Sequence, residues 1–173
     1  MWSGFRLAAA VGGVALSHYS VCAGSFRQTC LLTADGAAKA MAACKAEADK
    51  NGWMVTIVVA DAGGVPLALE RRGSAAMTVD IALGKAKTAA LAGKASSVYE
   101  GLINGDPRWG KNVKPKLSLL SNGYVLMEGG IPIFIDGHVV GSIGVSGVRS
   151  DQDVQIAQAG IDALMADAQC SHS

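Results

Sequence analysis

The sequence is short of the residues and motifs by which most enzymes are recognised. It contains no Walker phosphate loop, no G-x-S-x-G nucleophile elbow, no H-E-x-x-H metal motif and no C-x-x-C redox motif. Aromatic residues make up only 5% of the 173 residues, and there are three histidines. No motif therefore assigns the chain to the corresponding hydrolase, nucleotidase or redox classes. The few histidines also leave few side chains suited to holding a metal.

The chain also lacks an excess of charge of either sign. Lysine and arginine number 15 against 14 aspartates and glutamates, so the formal net charge is +1. A nucleic-acid-binding domain needs a clearly basic surface, and binding to a membrane surface needs a basic amphipathic helix. We therefore expect neither nucleic acid nor membrane among the partners of the mature chain.

The first residues have the pattern of an export signal. Arg6 provides the positive charge, residues 7–16 form an apolar run, and Val21-Cys22-Ala23 resembles a small-residue cleavage site. An apolar run of this length is too short to span a bilayer as a helix, which takes about 20 residues. The sequence thus predicts a signal peptide over residues 1–23, a single domain over 24–173, and a periplasmic or secreted location.

Export would place the cysteines in an oxidising compartment, where disulfides form. Cys44 falls on the apolar face of the first predicted helix and is predicted to be a buried thiol. Cys30 precedes that helix, and Cys170 follows the last predicted helix. If these two helices pack antiparallel the two thiols meet, so we predict a Cys30–Cys170 disulfide, while cysteine spacing alone does not fix connectivity.

Hydrophobic periodicity divides the chain into helices and hairpins. We predict helices at residues 33–51, 78–92 and from 150 onwards, hairpins at 55–70 and 131–145, a short strand at 124–127 and a long loop over 96–123. The Asp136-Gly137 pair marks the turn of the second hairpin. Two hairpins with helices between them predict an α+β fold: an antiparallel sheet of about five strands with helices packed around it.

The last predicted strand is nearly bare on one face. Every second residue from position 140 gives Val140, Ser142, Gly144 and Ser146. Ile143 and Val145 lie on the other face. A strand with so few side chains loses packing energy unless something approaches its backbone closely. A helix, a neighbouring subunit or a flat ligand would each meet that requirement.

The second predicted helix carries the most suggestive polar side chains. Lys85 and Thr88 fall on one stripe, so that a cation and a hydroxyl lie one turn apart beside small residues. Lys85 could meet a carboxylate, or it could be solvated while Thr88 bonds to the carbonyl of Gly84. Arg72, after the first hairpin, could hold an anion or pair with nearby acids. His138, in the second hairpin, is a candidate metal ligand or a solvated turn residue.

Three segments resemble the GlcG/HbpS family of haem-binding or haem-degrading domains, which also occurs as the C-terminal domain of PduO-type proteins. They are VVADAGGVPLALERR, DIALGKAKTAALAG and GGIPIFIDGHVVGSIGVSG, followed by an acidic helix start, DQDVQIAQAGIDAL. The resemblance covers about residues 31–165, and its glycines and Lys-Ala-x-Thr-Ala helix specify the fold more strongly than the activity. It implies a profilin- or PAS-like sheet and assembly into homo-oligomers, from dimers up to octamers.

The resemblance also implies a cofactor and a site. Thr88 stands at the position implicated in haem contact in the exported members, where its hydroxyl would be a weak ligand of the iron. Gly84 would let a porphyrin lie close to the helix, and Lys85 or Arg72 would hold a propionate. The implied function is an exported haem-binding protein that degrades haem or senses haem and redox state, with a sensor or an oxidoreductase as partner.

Two alternatives stay open beside this resemblance. One is a non-haem accessory or assembly module of an exported oxidoreductase system. The other is an enzyme acting on a small organic acid, with Arg72 and Lys85 gripping the carboxylate.

Overall fold

The computed structural model describes residues 30–103 and 122–166, which form helices and antiparallel strands. The helices there are α1 (Ala34–Lys50), α2 (Thr78–Ala92), α3 (Ser97–Ile103) and α4 (Ser150–Met165). The strands are β1 (Thr56–Asp61), β2 (Pro66–Arg71), β3 (Gly130–Ile135) and β4 (His138–Ser146). None of these helices is both long enough and apolar enough to cross a membrane.

The strands form one sheet in the order β2-β1-β4-β3, and each neighbouring pair is antiparallel. The predicted α+β fold with an antiparallel sheet is therefore confirmed. Within the described residues the sheet has four strands rather than about five. Residues 124–127, predicted as a short strand, lie outside the sheet, and contacts described below hold them against α2 instead.

The predicted turns and caps follow from local chemistry. Thr33 caps α1, because its hydroxyl accepts a hydrogen bond from the Gly36 N–H at 3.1 Å. The turn between β3 and β4 is formed by Asp136 and Gly137, both with positive φ, at 50° and 75°. Two successive positive φ angles are what the Asp-Gly pair predicts for a two-residue hairpin loop.

Helix α3 was not expected. The glycines and prolines of residues 96–123 predict a loop, yet Ser97–Ile103 is helical. Ser96 is fully buried and fixes the start of this segment, since its backbone N–H donates to the carbonyl of Gly130 at 2.9 Å. The rest of the predicted loop up to residue 121 lies outside the described residues.

Helices α1 and α4 cover one face of the sheet and contain the larger core. Gly36 lies against Leu164 and Cys44 against Gly160, so the two helices run antiparallel. Cys44 is a free, buried thiol, and burial raises its pKa to about 12. Cys30 is disulfide-bonded, and Cys170, its predicted partner, lies outside the described residues.

Helix α2 covers the opposite face. The core between it and the sheet contains Val58 and Ala60 of β1 together with Ala82 and Ala86 of α2. Three of these four side chains are alanines, and the backbones of α2 and β4 lie close together at Gly144. This layer holds most of the residues that the sequence selects as functional.

The prediction that Val140 lies on the bare face of β4 is wrong, because the strand contains a bulge there. Ile133 pairs with Gly141 but Phe134 pairs with Val139, which leaves Val140 as an extra residue. Val140 therefore packs in the core of α1 and α4 beside Ile143, not on the bare face with Ser142. Simple alternation fails at this position because a bulge moves every later side chain to the opposite face.

Candidate functional site

Helix α2 packs on the bare face of β4. A Cβ built on Gly144 would overlap the carbonyl oxygen of Ala82 and lie 2.6 Å from the amide nitrogen of Ala86. The hydroxyl of Ser142 donates to the Ala86 carbonyl at 2.8 Å. Of the three occupants that the sequence left open for this face, the structure shows the helix.

Lys85 is buried, with 1% of its surface exposed, and is neither solvated nor directed outwards. Its ammonium donates to Asp153 Oδ2 at 2.7 Å and to the carbonyl of Val145 at 2.9 Å. Gly129 makes room for this pair, because a Cβ there would lie 2.8 Å from the ammonium. The structure thus uses the Lys85 charge inside the protein, to join α2 to α4.

Asp153, in the acidic first turn of α4, is buried and turns inward. Its other oxygen, Oδ1, accepts a hydrogen bond from the Val148 N–H at 3.3 Å. Burial raises the pKa of the Asp153 carboxyl above its usual range, and the ammonium of Lys85 opposes that rise. Both charges are taken out of water, so each depends on the other for compensation.

Thr88 is 2% exposed and its hydroxyl is engaged twice. It donates to the carbonyl of Gly84 at 2.7 Å, as expected for a helical threonine. It also accepts a hydrogen bond from the backbone N–H of Val125 at 3.0 Å. The second contact could not be predicted from the helix alone, and it ties residues 122–127, here called the covering segment, to α2.

Gly84 allows a close approach, but by the protein's own chain. A Cβ at Gly84 would overlap the Val125 side chain and lie 2.9 Å from the carbonyl oxygen of Gly123. The space that this glycine leaves on α2 is therefore filled by the covering segment.

Arg72 lies apart from these three residues. Its guanidinium forms an ion pair with Asp49, and its Nε lies 3.9 Å from Glu70 Oε1. It lines a shallow cleft of about 490 Å³ with Trp53 and Met54, and neither Lys85 nor Thr88 takes part in that cleft. The structure does not bring Arg72 and Lys85 together around one carboxylate.

His138 is exposed at the first position of β4 and pairs across the turn with Ile135. Residues 30–103 and 122–166 contain no cluster of three or more His, Cys, Asp or Glu side chains able to hold a metal. His138 is therefore an exposed strand residue beside the hairpin turn.

Lys87 is a residue that sequence reasoning missed. Its ammonium donates to the carbonyl of Asn122 at 2.7 Å and lies 5.1 Å from the centre of the Tyr124 ring. With Asp80, Gly84 and Gly123 it lines a second cleft, of about 370 Å³. The only signal in the sequence was its place in the Lys85-Ala-Lys87-Thr88 run, which does not show which lysine points inward.

The predicted polar residues are each engaged within the protein. Thr88 is neutral, Lys85 is bonded to Asp153, and Arg72 is bonded to Asp49. Taken together, the predicted residues do not form an open haem site in this fold, because Val125 fills the space beside Gly84 and engages Thr88. The cleft beside Lys87 is the accessible part of this surface.

Comparison with known proteins places the chain among haem-related domains. The family profile described as "Haem degrading protein HbpS-like" matches residues 32–162. Protein GlcG of Escherichia coli K12 is 38% identical over 117 residues, which are 67% of this chain and 81% of GlcG.

Two crystal structures are similar to most of the chain. A double mutant of Streptomyces reticuli HbpS is 30% identical, with a TM-score of 0.67 over 90% of this chain and 99% of that chain. A complex of PduOC with haem is 25% identical, with a TM-score of 0.70 over 78% of this chain and 95% of PduOC.

Proposed function

The chain belongs to the HbpS-like family, and from that membership we propose that it is an exported protein that binds haem. One observation carries the proposal: over 78% of its length the chain has a fold similar to that of PduOC, a protein crystallised with haem. Bound haem would supply iron-centred redox chemistry, and the protein would supply binding and orientation.

We propose Thr88 as the contact to the haem iron, on the condition that Val125 moves away from its hydroxyl. A hydroxyl oxygen has two lone pairs, and one of them accepts the Val125 N–H. A haem that reaches Thr88 must therefore displace Val125 from α2. Lys85 holds α2 in place from inside the protein, and Gly84 provides the close approach once Val125 has moved.

Haem titration of residues 24–173 tests the proposal. We expect a saturable change in the Soret band with a stoichiometry of one haem per chain, and a smaller or shifted band for Thr88→Val. His138→Ala is the matched control and should titrate like the wild type. A spectrum no different from haem with serum albumin would contradict haem binding, and an unchanged spectrum for Thr88→Val would remove Thr88 from the site.

Degradation and sensing are separated by adding peroxide to the loaded protein. If the protein degrades haem, we expect stoichiometric loss of the Soret band and release of iron that a ferric-iron chelator detects. If it senses haem and redox state, we expect the band to survive while the oligomeric state or a partner interaction changes.

Export is supported by the disulfide at Cys30, because disulfides persist in oxidising compartments. We expect the full-length chain to be recovered outside the cytoplasm with residue 24 at its N-terminus. An uncleaved cytoplasmic product would contradict the proposed periplasmic or secreted location.

A homo-oligomer is supported by strand β2, an edge of the sheet. Val65, Leu67 and Leu69 are 60%, 40% and 43% exposed on or beside this strand. An exposed apolar edge strand readily pairs with another chain. We expect light scattering to give a multiple of the chain mass, and Leu69→Lys to reduce it; a wild-type monomer at micromolar concentration would contradict assembly.

A further inference from the structure

The cleft beside Lys87 shares Gly84 with the predicted site, but neither the family resemblance nor that site assigns a role to Lys87. We infer that it binds one edge of a flat, carboxylate-bearing ligand, and that Lys87 holds the carboxylate. This inference rests on the proposed haem binding, for which the carboxylates are the two propionates. It assigns to Lys87 the role that sequence reasoning gave to Lys85.

Lys87 lies across the cleft. Its backbone and stem contact the turn between β1 and β2, because a Cβ on Gly64 would lie 3.0 Å from the Lys87 Cα. Its ammonium is at the other wall, where a Cβ on Gly123 would lie 3.9 Å from Nζ. Half-buried, the ammonium uses one of its three hydrogens on the Asn122 carbonyl. The remaining donors are available to an incoming carboxylate.

The walls of the cleft are unusually free of side chains. Gly64, Gly84 and Gly123 all line it, Val125 covers Gly84 from one side, and Leu83 adds an apolar surface. A planar ring can approach a backbone closely only where side chains are absent. The cleft volume of about 370 Å³ lies at the low end of the range for ligand sites, roughly 300–1,000 Å³. The cleft thus suits one edge of a large ring rather than the whole ring.

The charges around the cleft set its orientation. Asp80 also lines it and is exposed. Asp80 and Lys87 are seven residues apart on α2, which separates them along the helix by about 10 Å. A carboxylate is therefore attracted to the Lys87 end and repelled from the Asp80 end.

The test compares haem with haem dimethyl ester, which has the same ring but no carboxylate charge. Wild-type residues 24–173 should bind haem about tenfold more tightly than the ester, since a charge-assisted hydrogen bond is lost with the ester. Lys87→Gln should bind both at the ester's affinity. Glutamine keeps a donor for the Asn122 carbonyl, so this variant should stay folded, which circular dichroism checks.

Two further variants sharpen the result. Lys94→Gln removes an exposed lysine outside the cleft and should keep the tenfold preference. Asp80→Asn should strengthen haem binding severalfold and leave ester binding unchanged. If wild type binds haem but Lys87→Gln retains the full preference, the inference is wrong and haem binding stands; if no variant binds haem, the proposed function itself fails.

Discussion

The two faces of the sheet are held by different kinds of contact. Toward α1 and α4, fourteen buried residues of the described part of the chain form a continuous core that includes Ile57, Ile143 and Ile156. Toward α2 the corresponding core of described residues has four members, three of them alanine. There the helix is fixed by close backbone approach at Gly144 and by polar contacts such as Ser142 with the Ala86 carbonyl.

The difference shows how the fold separates stability from binding. Interlocking aliphatic side chains supply most of the buried apolar area on one face, and such cores tolerate apolar substitutions that conserve volume. The face of α2 depends on the absence of side chains and on buried polar groups with specific partners. The cleft and the covering segment lie on the outer side of α2. The layer that depends on specific polar contacts and on close backbone approach is therefore also the layer that presents the candidate site.

The largest effect is expected from removing the Lys85 charge, which tests whether polar contacts hold α2 in place. Lys85→Met leaves Asp153 buried without its partner, and we expect the free energy of unfolding to fall by about 3–5 kcal/mol. Replacing both groups, as Lys85→Met with Asp153→Leu, should recover most of the loss, because no buried charge remains. Urea denaturation measures all three proteins.

Lys45→Gln is the matched control for that experiment. Its ion pair with Glu70 has both side chains 38% exposed, so we expect a loss of no more than about 1 kcal/mol. A Lys85→Met variant as stable as Lys45→Gln would show that the buried pair does not hold α2.

Adding one methyl group tests the close approach at Gly144. Gly144→Ala places a Cβ against the Ala82 carbonyl, so α2 must move away, and we expect a loss of about 3 kcal/mol. Gly63→Ala, at an exposed turn position, should change stability little. Thermal melts of the two variants give the comparison, and equal melting temperatures would refute tight seating of the helix.

The pH dependence of the Lys85→Met variant is a third test. Its Asp153 carboxyl has lost the ammonium that opposes the effect of burial, so its folded-state pKa is raised further above the unfolded value. Stability contributed by the bound proton is present at low pH and is lost as the pH rises through the folded pKa. We expect the variant to regain part of its stability between pH 7 and pH 5, whereas the double variant should show no such gain.

The smallest effect is expected in the aliphatic core. Ile143→Val removes one buried methylene on the face toward α1 and α4, and we expect a loss of about 1 kcal/mol. The same urea titrations measure it. A loss larger than that of Gly144→Ala would reverse the order of sensitivity proposed for the two faces.

Local signals in the sequence were sufficient for most of the fold and for little of the site. Thr33 and Asp136-Gly137 act on neighbouring residues, so their cap and turn could be predicted. Lys85 and Asp153 are 68 positions apart, and nothing in either neighbourhood indicates that they meet.

Two other features depend on contacts that a sequence pattern does not contain. The bulge at Val140 is set by pairing with β3, so alternation alone placed its side chain on the wrong face. The stripe of Lys85 and Thr88 was located correctly on α2, but its inward contacts depend on Asp153 and Val125. The family resemblance identified the helix that matters without revealing what touches it.

The meeting of Lys85 and Asp153 beside Gly129 has a consequence for how the protein opens. The two residues belong to helices on opposite sides of the sheet. Releasing α2 would strand a charge on α4, and releasing α4 would strand a charge on α2. Native-state hydrogen exchange should therefore find α2 and α4 opening as one cooperative unit, although far more aliphatic contacts anchor α4 than α2.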